Sequence, residues 1–201
     1  MPSTKLWNRA DCATWDAARS RYQDVLDANG GGRLVELDRW YHEELSGLIG
    51  AREPAWLGLD ELVRVVEWKM HRGVYRARNL QLARGNSATE VETASREALA
   101  EAPHPTAPIA RLARLKGVGP ATASAVLAAA RPDVYPFFDD VVAAEIPDFG
   151  RADFTLKVYG HYADRLRERA ALLAVGCPTG GWTPHAVGCA LWAAAGGKGG
   201  R

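Results

Sequence analysis

Apolar residues recur three and four positions apart along nearly the whole chain, and no segment alternates them singly. Trp15, Ala18, Tyr22 and Val25 form one such run, Leu34, Leu37, Tyr41, Leu45 and Leu48 a second, and Tyr159, Tyr162, Leu166, Ala170 and Leu173 a third. That spacing puts the apolar side chains on one stripe of an α-helix and leaves a β-strand with no dry face. Turn-forming clusters divide the runs at "NGGGR", "REPAWLG", "RGN", "APHPTAP", "RPDVYPFF", "PDFG" and "GCPTGGWTP". The pattern predicts an all-α fold with helices near 11–28, 34–49, 59–71, 75–84, 89–101, 108–115, 120–130, 140–146, 153–175 and 184–195. Ser87 and Glu90 stand three apart at the head of one of them, the spacing of a capping box.

A chain of 201 residues with 47% apolar residues and seven tryptophans can bury a substantial core. No window approaches the roughly 18 consecutive apolar residues of a membrane span. The N-terminus has no basic-then-apolar leader pattern, and three cysteines, an odd number, argue against a disulfide framework and for a reducing compartment. Neither an internal repeat nor a long linker is present, so the whole of 1–201 is expected to form one compact unit, with 196–201 as a frayed, flexible tail. The net charge of +1 neither suggests nor excludes a polyanionic partner.

The stretch "LARLKGVGPATASAVLAAARPDVYPFFDD", Leu112 to Asp140, carries more chemistry than the rest. Gly117 and Gly119 can both take positive φ, and Pro120 suits the first position of a new helix, where its missing N–H has no partner. The free amides of such a helix start, together with its dipole, can hold a phosphate oxygen without reading a base. The alanines that follow keep the second helix slim enough for "IARLARL" to pack closely against it. Asp139 and Asp140 then open a further helix. Asp140 can cap "VVAAEI" while Phe137 and Phe138 enter the core, which makes it the first candidate for a positioned carboxylate, with Asp139 the alternate.

Leu115, Gly117, Val118, Gly119, Thr122, Ala123 and Leu127, followed by a Gly/Pro-rich loop and an aspartate, resemble the hairpin region of the helix-hairpin-helix (HhH-GPD) DNA glycosylase superfamily. The likeness is concentrated in 109–145 and extends more weakly back to about residue 59. It implies a two-lobed helical fold, with 59–146 as the lobe bearing the hairpin (109–130) and 1–58 with 147–195 as the other. It also implies an enzyme that grips double-stranded DNA, flips out a damaged or modified base and cuts its N-glycosidic bond, with Asp140 or Asp139 stabilising the sugar cation. The amides around Gly117, Val118, Gly119, Ala121 and Thr122 would meet phosphate, and the carbonyls of Ala113, Leu115 and Val118 would hold a monovalent cation. The same likeness implies a monomer located in the cytoplasm with the nucleoid, or in a nucleus.

Cations for DNA are concentrated in 64–84, where Arg64, Lys69, Arg72, Arg76, Arg78 and Arg84 face the single acid Glu67 and are interleaved with Trp68, His71 and Tyr75. Lys116 adds charge before the hairpin. Where relatives carry a loop that wedges into the duplex, this chain has "EWKMHRG", which places Lys69, His71 and Arg72 at the pocket border. Two departures refine the expectation. Strand-cleaving relatives have a lysine two positions after the second glycine; Ala121 stands there, so Schiff-base lyase chemistry is not expected and a monofunctional enzyme is. Cys12, Cys177 and Cys189 are too few and too scattered for an iron–sulfur cluster, and Cys177, His185 and Cys189 lack an obvious fourth ligand for zinc. "HEEL" at His42 lacks the second histidine of a zinc protease, and "NGGGR" lacks the lysine of a phosphate loop. The alternative is a DNA-binding or structural module that keeps the hairpin without excision.

Overall fold

In the computed structural model, residues 5–178 and 180–197 are described. A 3₁₀-helical turn at Leu6–Asn8 and eleven α-helices account for the regular structure among them: α1 (Cys12–Ser20), α2 (Tyr22–Glu43), α3 (Leu45–Gly50), α4 (Leu59–Arg72), α5 (Ala77–Arg84), α6 (Ala88–Ala100), α7 (Ala107–Leu112), α8 (Pro120–Ala130), α9 (Asp140–Glu145), α10 (Leu156–Gly176) and α11 (Pro184–Ala194). No strand occurs among the described residues, and no helix is long and apolar enough to cross a membrane.

The helix starts follow local chemistry. Ser87 accepts from the Glu90 amide at 3.1 Å and the Glu90 carboxylate accepts from the Ser87 amide at 2.7 Å, so the expected capping box forms. Thr155 and Thr183 cap α10 and α11 in the same manner, each accepting from the amide three residues on. The expected break at "NGGGR" is instead a kink within α2. Only Gly31, at φ 61 and ψ 169, leaves helical geometry there, a conformation that glycine reaches without a Cβ penalty. The break comes earlier, at Arg21 between α1 and α2. Of the tail, Gly196 and Gly197 turn the chain back with positive φ, and the Gly197 amide donates to Trp192 O at 2.9 Å; the expectation for 198–201 lies outside the described residues.

One continuous apolar core joins the N-terminal, central and C-terminal helices, from Trp15 and Leu37 through Trp68 and Val126 to Tyr162 and Trp192. α8 lies inside it, with every residue from Ala121 to Ala129 buried. α4, α7, α3 and α10 pack around it, while α11 packs against α1, α2 and α10. Tyr41 stacks on Trp68 at 3.8 Å between ring centres and its hydroxyl donates to Ala125 O at 2.6 Å, tying α2 and α4 to α8. The cysteine expectation is corrected: Cys12 at the head of α1 is disulfide-bonded to Cys177 at the foot of α10, leaving Cys189 free. At a sequence separation of 165, nothing local marks the pair. The oxidised pair also removes the cysteine argument for a reducing compartment.

The hairpin 113–119 is built on one glycine rather than two. Gly117 has φ +75, and a Cβ there would lie 2.5 Å from Asn79 O and 2.7 Å from Ala83 N, so α5 and the hairpin meet backbone to backbone. Gly119 is extended, at φ −101, and a Cβ there would meet nothing within 4 Å. Gly117→Ala should therefore destabilise the fold by about 1–3 kcal/mol or more, while Gly119→Ala stays within roughly 0.5 kcal/mol of wild type in denaturant unfolding. Equal effects would show that the approach of α5 does not depend on Gly117.

Candidate active site

The segment 137–140 crosses the start of α8 and is held from both sides. The Ser124 hydroxyl donates to Ala121 O at 2.8 Å and accepts from the Phe138 amide at 2.9 Å, and the Tyr162 hydroxyl donates to Phe137 O at 2.7 Å. Phe138 packs among Tyr159, Tyr162 and Phe154. The two anchors fix which of the adjacent aspartates turns inward. Asp139 is the N-cap of α9, its Oδ1 accepting from the Val141 amide at 2.8 Å and from the Val142 amide at 3.4 Å. Asp140 is the first helical residue and is exposed. The expectation that Asp140 caps this helix is thereby corrected, because the inward turn of Phe138 leaves Asp139 facing the orphan amides.

Arg72, at the end of α4, meets the other oxygen of Asp139. Its Nε donates to Asp139 Oδ2 at 3.2 Å, and both side chains are buried, at 5% and 6% exposure. Its Nη1 donates to the Tyr22 hydroxyl at 2.5 Å and lies 3.9 Å from Asp38 Oδ1. The guanidinium sits 4.0 Å from the Trp192 ring centre. Burial works against its charge, but Tyr22, Asp139, Cys189 and Asp38 outweigh it and raise its pKa. Burial in turn pushes the Tyr22 phenol well up. Asp38 accepts from both Tyr22 Oη at 2.9 Å and Trp68 Nε1 at 2.8 Å. A cation so enclosed is a structural link and cannot grip phosphate on the outer surface.

A cavity of about 330 Å³ opens over this carboxylate, within the range of roughly 300–1,000 Å³ typical of small-molecule sites. Lys69, Arg72 and Gly73 from the end of α4, Val74 and Arg76 from the following loop, and Asn79 from α5 form one wall. Gly119, Pro120, Ala121 and Thr122 form the second, and Phe137 to Asp140 with Phe154 close the third. Gly119 supplies no side-chain acceptor to the head of α8, so the amides of Ala121 and Thr122 start the helix without a side-chain cap beside the cavity. Burial pushes the pKa of the half-buried Lys69 down, Arg76 adds to that push, and Asp139 and Asp140 pull against it. The charged groups of the wall are thus close enough to act on one another.

The cavity brings together eight expected residues: Lys69, Arg72, Arg76, Gly119, Ala121, Thr122, Asp139 and Asp140. It does not include Gly117 or Val118, which hold the hairpin against α5 and the core. Lys116 is turned away, its Nζ donating to Gly85 O at 3.1 Å. His71 lies 3.9 Å from Glu67 and edge-on to Tyr75, and Arg78 is exposed on α5. Of the three carbonyls expected to hold a cation, that of Leu115 accepts from the Val118 amide at 3.1 Å. The sequence reading missed Val74, Asn79 and Phe154 on the walls, and Tyr22, Asp38 and Trp192 behind Arg72. The last three lie on α2 and α11, far from the motif in sequence.

Compared with known proteins, the chain matches no family model, no curated protein and no solved structure.

On the far side of Arg72, burial holds the pKa of His185 well below the ordinary histidine range, reinforced by His42 and Arg72, and burial also lowers His42 against the pull of Asp38. Both imidazoles therefore take a proton in the unfolded chain at a pH where the folded protein refuses it. Their contribution is complete above about pH 6.5 and is lost as pH falls from there toward the folded values. Denaturation midpoints should be flat from about pH 7.5 down to about 6.5 and fall below it, with a shallower fall in His185→Gln. A slope indifferent to that substitution would show that His185 is protonated in the fold without penalty.

Proposed function

We propose that the protein is a monofunctional DNA glycosylase of the helix-hairpin-helix kind, hydrolysing the N-glycosidic bond of a base flipped out of duplex DNA. One observation carries the reading: a single cavity unites the uncapped start of α8, the cations Lys69 and Arg76, and the buried carboxylate of Asp139. Phosphate chemistry, charge for a duplex and a fixed anion for a sugar cation thus share one opening. The two lobes of that fold would be 59–146 and the terminal segments together; the cavity lies on the first, with Phe154 reaching its edge from the second.

In this account the amides of Ala121 and Thr122 anchor a backbone phosphate, and Gly119 keeps the approach clear. Arg76, with Arg78 on the adjoining helix, extends the grip on the strand. The exposed apolar side chains of Val74 and Phe154 at the mouth give the duplex a surface on which to stack when a nucleotide leaves. Asp139 stabilises the positive charge that develops on the deoxyribose as the base departs with the bonding electrons. A water then adds its oxygen at the anomeric carbon, its proton balancing the base. Asp139 takes the role first expected of Asp140, because a carboxylate fixed by Arg72 and two amides reorganises little as charge appears. A monovalent cation under the hairpin carbonyls would support the phosphate contact, and a monomer acting where DNA is held fits the proposal.

The second reading is a DNA-binding module without excision. It is favoured by the engagement of both Asp139 oxygens within the protein, by Arg72 and by the α9 amides.

The test is single-turnover excision on duplexes carrying alkylated, oxidised, deaminated or mismatched bases, quenched with and without alkali. An intact abasic site on at least one duplex is expected. Assayed below its lowered melting temperature, so that it is still folded, Asp139→Asn should lower that rate by about 100-fold or more while duplex affinity holds, and Asp140→Asn should do far less. Binding without excision across the panel would favour the module. Strand breaks before alkali with a borohydride-trapped adduct would replace water by an amine, Lys69 being the one lining the cavity.

A further inference from the structure

On the opposite side of Arg72, the last turn of α2 and the first turns of α11 bring three metal-ligating side chains to one place. His185 and Cys189 are four residues apart, so they share one face of α11. His42 reaches across from α2, and its ring stacks on that of His185 at 5.5 Å between centres. The three donor atoms all lie within 4.8 Å of one another. Around a tetrahedral zinc ion with ligands at about 2.0–2.3 Å, donor atoms stand roughly 3.3–3.8 Å apart. Cys189 Sγ and His185 Nε2 are 3.8 Å apart, already at that separation.

We propose that His42, His185 and Cys189 form a binding site for one zinc ion, with a fourth coordination position open to the adjoining cavity. That cavity, about 360 Å³, lies over the three residues and is bordered by Arg19, Tyr22, Asp38 and Thr183. Two nitrogens and a sulfur suit a borderline-soft ion and disfavour magnesium or calcium, which require oxygen ligands. The surroundings supply an outer shell as well. With His42 Nδ1 on the metal, its Nε2–H would meet the Tyr22 hydroxyl 3.3 Å away, with Asp38 Oδ2 3.7 Å from the same nitrogen. Asp38 is itself held by Trp68 and Tyr22, which prevents it from swinging away. Cys12 and Cys177 are consumed by their disulfide, which leaves Cys189 as the thiol available to metal.

Binding replaces the proton of the Cys189 thiol with the metal and releases that proton to solvent; the two imidazoles each give a lone pair. The ion would tie the end of α2 to α11, beside the Tyr22 and Trp192 side chains that enclose Arg72. Three protein ligands and one open position also leave room for water or a small anion on the metal. The site makes no use of the cavity over Asp139 and stands whether or not the protein excises bases.

The test uses the full-length, tag-free protein, stripped with chelator under non-reducing conditions and titrated with zinc chloride by calorimetry and with cobalt chloride by absorption. One equivalent of zinc is expected, together with a cobalt–thiolate charge-transfer band. Cys189→Ser should abolish the band, and Cys189→Ser and His42→Gln should each weaken zinc binding by about 100-fold or more. His42 is at the rim, so its variant keeps the test valid if a change at half-buried Cys189 disturbs folding. No uptake, or uptake undiminished in both folded variants, would overturn the site. Binding that disappears in Cys177→Ser but survives in Cys189→Ser would overturn it equally, by assigning the metal to the other thiols.

Discussion

The contact of Arg72 with Asp139 is the constraint around which the rest is arranged. A guanidinium at 5% exposure is tolerated only if its lost hydration is replaced, and here two carboxylates and four aromatic side chains, one of them offering its phenol oxygen, replace it. Those partners come from different parts of the chain: Tyr22 and Asp38 from α2, Trp68 from α4, Phe137 and Asp139 from the segment ahead of α9, and Trp192 from α11. Removing one member would leave a buried charge uncompensated, at a cost of about 3–5 kcal/mol. Arg72 therefore joins elements that sequence separates by as much as 170 residues.

The cavity is a consequence of that link and of the hairpin acting together. Gly117 lets α5 touch the hairpin backbone, which places Asn79 and the 73–76 loop opposite the start of α8. Ser124 and Tyr162 then set the height at which Phe137 and Phe138 cross α8. With both fixed, Asp139 sits between Arg72 and the cavity, and Asp140 lies outside. A neutral core holds a charged floor, and the charges at the rim flank Arg72, Lys69 in the last turn of α4 and Arg76 in the loop that follows. Stability and any chemistry at Asp139 share one residue.

Much of the architecture was legible because helical periodicity survives every local accident: the boundaries near Leu59, Ala88, Pro120, Asp140 and Pro184 fall within a residue or two of expectation. The site was legible as a neighbourhood, since the hairpin, the aspartates and the basic segment converge on one cavity. The assignment between Asp139 and Asp140 was not, because adjacent aspartates are equivalent caps until Ser124 and Tyr162 orient Phe138. Arg72 read as a DNA-gripping cation at the pocket border, from its charged company, rather than as a buried link. Its spacing of four from Trp68 and seven from Val65 puts it on the buried stripe of α4, a signal that the charge pattern obscured. The Cys12–Cys177 pair and the meeting of His42 with His185 depend on helix packing across more than 140 residues, for which local pattern carries no information.

The most direct test of this account is a double-mutant cycle on Arg72 and Asp139, using Arg72→Met, Asp139→Asn and the double variant in denaturant unfolding at fixed pH and salt. Each single change should be strongly destabilising, and the double variant should be more stable than the sum of the two by roughly 1–3 kcal/mol, the mark of two buried groups that answer each other. Additivity within about 0.5 kcal/mol would contradict the account, because Asp139 would then be held by the α9 amides alone and Arg72 would have no part in building the cavity.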